Sequence, residues 1–448
     1  AALDEQLASA PEPPDVGRPR LWVDRVFTIS GAGTVVTGTL TGGRFTTRDE
    51  VDIAPEGRRA RIRKIQSHKK EATEIGPGNR VALNLAGLER QGAERGDAVA
   101  LPGQWRATDL VGAWIRVLPR SLVGDHTVTE KGAHLMYVGS AETPVTIRLL
   151  GADALPAGEE GFALLYLRDA LPLQRGDRFV LRDAGRVLTF GGGVILDPAT
   201  DRRKGHSAEK LDLLRLLHGA PDDEALDALL THEGSMSLED AAFRAGTTGS
   251  AKVTRLAETL MSRNEIALLR NEVRSSLEEH HRLHPLERGL DREALRSRLG
   301  LDGATFDALL RLQEDLTEEG NTVRLTTHTV AFAPDLQEQR QTLLDRIGEG
   351  RFSPPLTKDL GADASFLRAL EDADDLVRVG DFYLTSERAR EARELVRSAI
   401  GDSGPKTVAE IRDLLGTTRK YAVPLCEWLD ATGATVRSGD VRLLGPRP

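Results

Sequence analysis

A single cysteine, Cys426, stands among 448 residues. That excludes an internal disulfide framework and any metal site built on several thiolates. No apolar run approaches the ~18–20 residues needed to cross a bilayer, and nothing at the start resembles a secretory signal. A soluble cytoplasmic protein without membrane contact is the expectation. No methionine opens the chain, and AALDEQLASA reads as the tail of a helix. The expectation is a fragment whose N-terminal part is missing. Excess positive charge is lacking too. Lys+Arg number 60 and Asp+Glu 69, a formal charge of −9, which counts against a general nucleic-acid binder.

Chemical motifs are scarce. GAGTVVTG (Gly31 to Gly38) has the glycines of a phosphate loop but no final Gly-Lys-Ser/Thr, and a β-rich run follows where a helix is needed. It reads as a turn and a strand, as does FGGGVILDP. LTKDL, near Lys358, looks like a guanine-specificity motif, but without a P-loop it reads as a helix. His280, His281 and His284 have no acid or cysteine at ligand spacing and read as exposed helix residues. No nucleophile–base set is found.

What is present becomes clear when the charge is divided. Counting Lys and Arg against Asp and Glu, residues 1–17 carry −4, 18–103 carry +5, 104–204 carry +1, 205–390 carry −12 and 391–448 carry +1. The acidity sits in the middle, so the mean charge describes no part of the chain.

Texture changes near residue 204. From Leu21 to Leu196 short β-branched runs (LWVDRVFTI, GTVVTGTL, ARIRKIQS, RVALNLAG, FALLYLR, RFVLRD) alternate with turns such as TGGRF, IGPGN and LQRGD. Strands this dense, without helices between them, predict two β domains with a break near LPGQWRATD. After KGHSAEK the spacing becomes helical: LDLLRLLHG, DEALDALLTHEG, LEDAAFRAG and SAKVTRLAETLMSRNEIALL, then a β pair EIALLRNEV. Helices closed by a β pair recur three more times, ending in TVRLTTHTVAFAP, LVRVGDFYLT and TVRSGDVRLL. This is the grammar of winged helices. Units of this size are near the lower limit for a lone core, and a tandem array lets them support one another.

LWVDRVFTISGAGTVVTGTLTGG, with ARIRKIQSHKKEATEIGPGNRVALNLAG and RGDAV, resembles domain II of EF-Tu-class translational GTPases, and more narrowly that of the selenocysteine-specific elongation factor family, SelB. GDRFVLRDAGRVLTFGGGVILDP resembles the family's domain III. HRLHPLERGLDREALRSRLGL and TVAEIRDLLGTTRKYAVPLCEWLDATGATVRSGDVRLL resemble its second and last winged helices. The expected fold is therefore multidomain β + α. The end of a GTPase domain and linker (1–17) precedes two EF-Tu-like β-barrels, domain II (18–103) and domain III (104–204). Four tandem winged-helix domains follow (205–272, 273–334, 335–390, 391–448). The resemblance implies a monomeric delivery factor in which the barrels bind selenocysteyl-tRNA. The last winged helix binds an mRNA hairpin, the selenocysteine insertion element, so that selenocysteine enters at UGA on the ribosome. It implies GTP and Mg in the missing domain, and no catalytic residue, cofactor or metal in this fragment, which is then not itself an enzyme.

Site residues follow. Selenols are more acidic than thiols, whose pKa is ~8.5, so a pocket for selenocysteine needs cationic donors that are left unpaired by serine or cysteine. The family's Asp-Arg pair and Gly-x-Arg turn fall on Asp24, Arg25 and Arg80; His68 is an added donor. The competing reading makes Arg25 and Arg80 surface arginines paired with nearby acids. For the hairpin, Thr417, Thr418, Arg419 and Lys420 open a helix whose N-terminus suits phosphate. Tyr421 could stack on a base, Arg437 and Arg442 lie on the expected wing, and Arg412 sits on the scaffold helix. The competing reading is a solvated helix start with Tyr421 in the core. Cys426 reads as core. The first winged units carry recognition-like helices such as AKVTRLAETLMSR, yet their charge repels RNA, and they read as a spacer. A tandem winged-helix DNA-binding regulator with a β-barrel sensor region is the alternative. Another EF-Tu-class GTPase would leave four winged units unexplained.

Overall fold

A computed structural model describes residues 12–29, 33–88, 92–200, 207–328, 332 and 334–446. The helical tail expected at 1–10, and a hinge expected near DRRKGHS (201–207), fall almost wholly outside them. The chain divides into two compact units, 1–266 and 267–448.

The first unit opens with six strands: β1 (Arg20–Ile29), β2 (Gly33–Thr41), β3 (Glu50–Ala54), β4 (Arg58–Ser67), β5 (Arg80–Ala86) and β6 (Ala98–Ala100). They pair in the order β3-β6-β1-β2-β5-β4, and β4 pairs back to β3, so the sheet closes on itself. Closure removes the exposed edges that an open sheet must protect. Alternation does the sorting: β2 shows buried residues at every second position, and Leu21, Val36, Leu40, Phe45, Ile53, Ile62, Leu83 and Leu85 fill the interior. GAGTVVTG is a strand from Gly33 onward.

A second closed barrel follows: β7 (Thr108–Val117), β8 (His134–Val138), β9 (Ala141–Leu150), β10 (Glu160–Leu171), β11 (Arg178–Asp183) and β12 (Leu188–Asp197), in the ring order β7-β10-β9-β8-β11-β12. FGGGVILDP belongs to β12. A Cβ at Gly193 would stand 2.1 Å from the Trp114 carbonyl oxygen, so only glycine admits β7 at this distance. The barrels are clamped by Arg20, which is 3% exposed and holds Asp177 through two bonds of 2.7 and 2.6 Å. Its guanidinium also lies 4.3 Å from the Trp105 ring centre, with Arg18 at 4.6 Å from the same ring.

The outer face of the second barrel is apolar, and the next helices cover it. These are α1 (Ser207–Leu217), α2 (Asp222–Glu233) and α3 (Leu238–Arg244). Leu110, Leu150, Leu164 and Leu196 of the barrel share one core with Leu214, Leu217, Leu226 and Leu230. Arg244 of α3, buried, reaches both oxygens of Asp197 at the end of β12 (3.0 and 2.9 Å) and Glu233 of α2. Burial opposes its charge, but Asp197 and Glu233 outweigh that and raise its pKa.

The structure corrects the reading of this first winged unit. AKVTRLAETLMSR is not a helix but a hairpin of Val253–Leu256 and Thr259–Ser262. A two-residue turn joins its strands, with Ala257 in the left-handed region (φ 53°). EIALLRNEV, expected as the β pair, lies in α4 (Arg263–Leu283). Leu256, Leu260 and Met261 satisfy a helical spacing on paper, but the β-branched Val253, Thr254 and Thr259 favour the pleated form that buries them.

The second unit repeats one plan. α4 is followed by α5 (Arg292–Leu299), α6 (Gly303–Arg311) and a hairpin (Leu316–Glu319, Thr322–Leu325). Next come α7 (Pro334–Glu349), a 3-10 turn at Thr357–Asp359 that contains Lys358, α8 (Ala364–Asp372) and a hairpin (Leu376–Val379, Phe382–Thr385). Last are α9 (Ser386–Ser403), α10 (Val408–Leu415), α11 (Arg419–Ala431) and a hairpin (Thr435–Ser438, Val441–Leu444). The boundaries expected at 272/273 and 390/391 fall inside α4 and α9, because each scaffold helix starts at the end of the preceding hairpin. Caps mark the helix starts: Asp291 and Asp302 accept from backbone N–H groups three residues on, and Thr407 with Glu410 forms a reciprocal capping box. The last two repeats are not separate. Phe352, Val379, Phe382 and Leu384 share a core with Ile411, Leu425, Cys426 and Leu429.

Candidate functional site

The strongest convergence of sequence-predicted residues lies in the last repeat. α10 ends at Gly416 in the left-handed conformation (φ 60°), the chain turns, and α11 begins at Arg419. Thr418 precedes the helix without a side-chain cap, so the positive end of α11 faces outward. Arg419, Val423 and Glu427 recur along one face of α11. That face, with Thr407, Val408 and Ala409 at the start of α10, Arg412 in its last turn, and Arg437, Asp440 and Arg442 of the hairpin, lines a cleft of about 430 Å³. Four arginines and two acids therefore surround one opening.

Each arginine is held differently. Arg419 is exposed and makes no side-chain bond among the described residues. Arg437 is exposed, with Nε donating to the Gly439 carbonyl at 3.1 Å. Arg412 donates to Asp413 at 2.7 Å and is only 38% exposed. Lys420 is exposed and does not line the cleft; its Nζ lies 5.5 Å from the Tyr421 ring centre.

Two expectations are corrected. Arg442 does not reach outward from the wing. It is 4% exposed, and its Nε donates to Asp430 at 3.3 Å, beneath the cleft. Tyr421 is not displayed for base stacking. It is half-buried against the shared core, with its ring edge-on to Phe382 at 5.0 Å. Cys426 is fully buried, and burial pushes its thiol up to about 11, so it stays protonated and unreactive.

On the first barrel, β1 bulges at Asp24, between the Val23–Gly38 and Arg25–Thr37 pairs. The bulge turns the Asp24 carboxylate toward two partners: Thr37 Oγ1 donates to it at 2.6 Å, and Arg80 pairs with it at 2.6 Å. Arg80 keeps 56% of its side chain exposed. Ser67 Oγ donates to the Arg80 carbonyl at 3.0 Å, which ties the next turn, where His68 and Lys69 both adopt positive φ, beside it. His68 and Arg25 are exposed, and neither bonds to Asp24 or Arg80. The structure thus joins Asp24 with Arg80 and leaves Arg25 and His68 unengaged. Thr37 and Ser67 escaped sequence reasoning, because only the strand register brings them here. Glu427 was missed too, although its eight-residue spacing from Arg419 places both on one helix face.

His280 and His281, read as exposed helix residues, are half-buried near the end of α4 and cluster with His284 just beyond it. His281 stacks on His328 at 3.7 Å between centroids, and His280 Nε2 lies 3.2 Å from Glu287. Burial first, then the neighbouring His328, His280 and Arg324, push His281 down to about 4. Among the described residues no group of three His, Cys, Asp or Glu is arranged to hold a metal ion, and no helix is long and apolar enough to cross a membrane.

Residues 274–325 and 399–444 match family models described as elongation factor SelB, winged helix. Residues 33–100 match the model of elongation factor Tu domain 2. A selenocysteine-specific elongation factor of Desulfomicrobium baculatum is 29% identical, with the alignment covering 96% of this chain and 72% of that protein. The chain is a homologue of the selenocysteine-specific elongation factors. That of Escherichia coli (strain K12) is 28% identical over 99% of this chain and 73% of its own length. The crystal structure of a bacterial selenocysteine-specific elongation factor, EF-Sec, superposes with a TM-score of 0.65 at 20% identity, covering 99% of this chain and 72% of that one. The two barrels and the winged-helix series are thus a shared fold.

Proposed function

We propose that the chain carries the RNA-binding work of selenocysteine delivery. Its first barrel receives the aminoacyl end of selenocysteyl-tRNA, and its last winged unit holds an mRNA hairpin, so that both meet on the ribosome. The observation that carries this reading is the cleft with Arg412, Arg419 and Arg437 at its surface, beside the uncapped N-terminus of α11. Cations around a free helix start suit a phosphate backbone. On the barrel, Arg80 would meet a selenolate with the face that Asp24 leaves free, and Arg25 and His68 would add donors. A GTP-binding domain with Mg, cytoplasmic location and a monomeric state belong to the same reading, and no residue here is assigned to hydrolysis. The first two winged units act as a spacer; the hairpin found where a recognition helix was expected, at 253–262, supports this for the first of them.

The test is competition. The protein is titrated with a labelled RNA stem-loop taken from just downstream of an in-frame UGA codon in the source genome, against duplex DNA of equal length. Preference for the stem-loop at 150 mM salt supports the reading. Preference for duplex DNA replaces it with the tandem winged-helix regulator.

A further inference from the structure

Helix α11 has two working faces. Arg419, Val423 and Glu427 look into the cleft. Thr417, just before the helix, and then Tyr421 and Pro424, at helical spacing, look the other way, and each meets the third winged repeat. Thr417 Oγ1 donates to the Phe352 carbonyl at 2.8 Å and lies 2.8 Å from Ser353 Oγ. Tyr421 packs on Phe382. Gly380, in the left-handed region at the tip of the third repeat's hairpin, lies so close that a Cβ there would stand 3.1 Å from Pro424 Cβ.

These contacts do not merely join two units. They fall on the first turn and a half of α11, the stretch that also carries Arg419 and Lys420. A helix start that lacks a side-chain cap of its own frays readily, and here contacts to the neighbouring repeat anchor the turn that leads into it. We infer that Ser353, Gly380 and Phe382 of the third winged repeat are positioning residues for RNA, holding the N-terminus of α11 in its binding geometry. The third repeat is then part of the binding tip and not of the spacer. The inference rests on the RNA-binding reading of the cleft and deepens it. Its physical basis is preorganisation: a binding element ordered in advance spends less of its interaction energy on ordering.

The experiment uses the whole chain and the stem-loop described above. Thr417→Val removes both hydroxyl contacts and is expected to weaken binding at least about fivefold, the effect of one neutral hydrogen bond or more. Thr417→Ser should restore the affinity, and Ser353→Ala should reproduce part of the loss. The slope of log K against log salt should not change in any of them, because no phosphate contact is removed. Phe382→Leu is a second, independent variant, read only where its thermal transition stays within a few degrees of the parent. Unchanged affinity in folded Thr417→Val and Phe382→Leu overturns the inference, and so does a loss that Thr417→Ser fails to restore. Arg419→Ala with Lys420→Ala is the control. If that pair also leaves binding untouched, the RNA reading of the cleft has failed, and the positioning inference falls with it.

Discussion

The Arg442 guanidinium lies under the surface with Asp430 at 3.3 Å, and the same carboxylate accepts from Thr435 Oγ1 at 2.5 Å. A buried charge is tolerated only with its partner in place. Asp430→Ala should therefore destabilise the second unit by about 3 kcal/mol, read as a lower urea midpoint. Arg442→Met, which removes the charge and keeps the volume, should cost less than Asp430→Ala. The opposite ranking would make Arg442 an outward-reaching residue after all.

Asp24 and Arg80 make a second prediction. Arg80→Ala should reduce affinity for selenocysteyl-tRNA about tenfold or more and leave seryl-tRNA nearly unaffected, because a neutral hydroxyl gains little from the cation. Asp24→Asn should shift selectivity less, since it frees Arg80 but removes the group that orients it. Equilibrium filter binding with both tRNAs decides between these outcomes.

At the cleft, Arg419→Ala with Lys420→Ala should lower the salt slope of hairpin binding by roughly 1.4–1.8, the release of counterions from two phosphates. Arg442→Met should leave the slope unchanged. A slope change of equal size in both variants would show that burial does not separate their roles.

The histidines predict acid sensitivity. Burial lowers the pKa of His126, His134 and His280, and burial with cationic neighbours brings His281 to about 4. Each then binds fewer protons folded than unfolded. Stability present above the unfolded value of ~6.5 is lost as pH falls through the window toward about 4. Around His281 the facing groups are His328, His280 and Arg324. His281→Phe should flatten the fall in urea midpoint between pH 7 and pH 4.5, and an unchanged fall would remove His281 as its source.

Much of this architecture was legible in the order of residues. Alternating β-branched runs with glycine turns marked the barrels, and the repeated helix-and-hairpin grammar marked the winged series. The failures have physical causes. Arg442 was expected on the wing as a contact residue, yet it is buried while its neighbours Leu443 and Leu444 are exposed. Asp430, twelve residues away, supplies the charge that reverses the face. In AKVTRLAETLMSR, helical and pleated spacings bury the same leucines, and the β-branched Val253, Thr254 and Thr259 tip the choice to the hairpin. Tyr421 looked like a stacking platform because nothing local reveals Phe382 beside it. Asp24 and Arg80 were found through resemblance, but their mutual pairing depends on a bulge that no local pattern announces.

Arg244 has a practical consequence. Because it locks α3 onto Asp197, and because leucines of α1 and α2 complete the core outside the second barrel, that barrel has no finished surface of its own. A shortened protein ending at residue 204 would lay bare Leu110, Leu150, Leu164 and Leu196 as one apolar patch, a surface that promotes aggregation. Cutting after the hairpin that ends at Ser262 would keep those leucines covered. Insolubility of the shorter piece would thus report a missing lid of helices, not a barrel unable to fold.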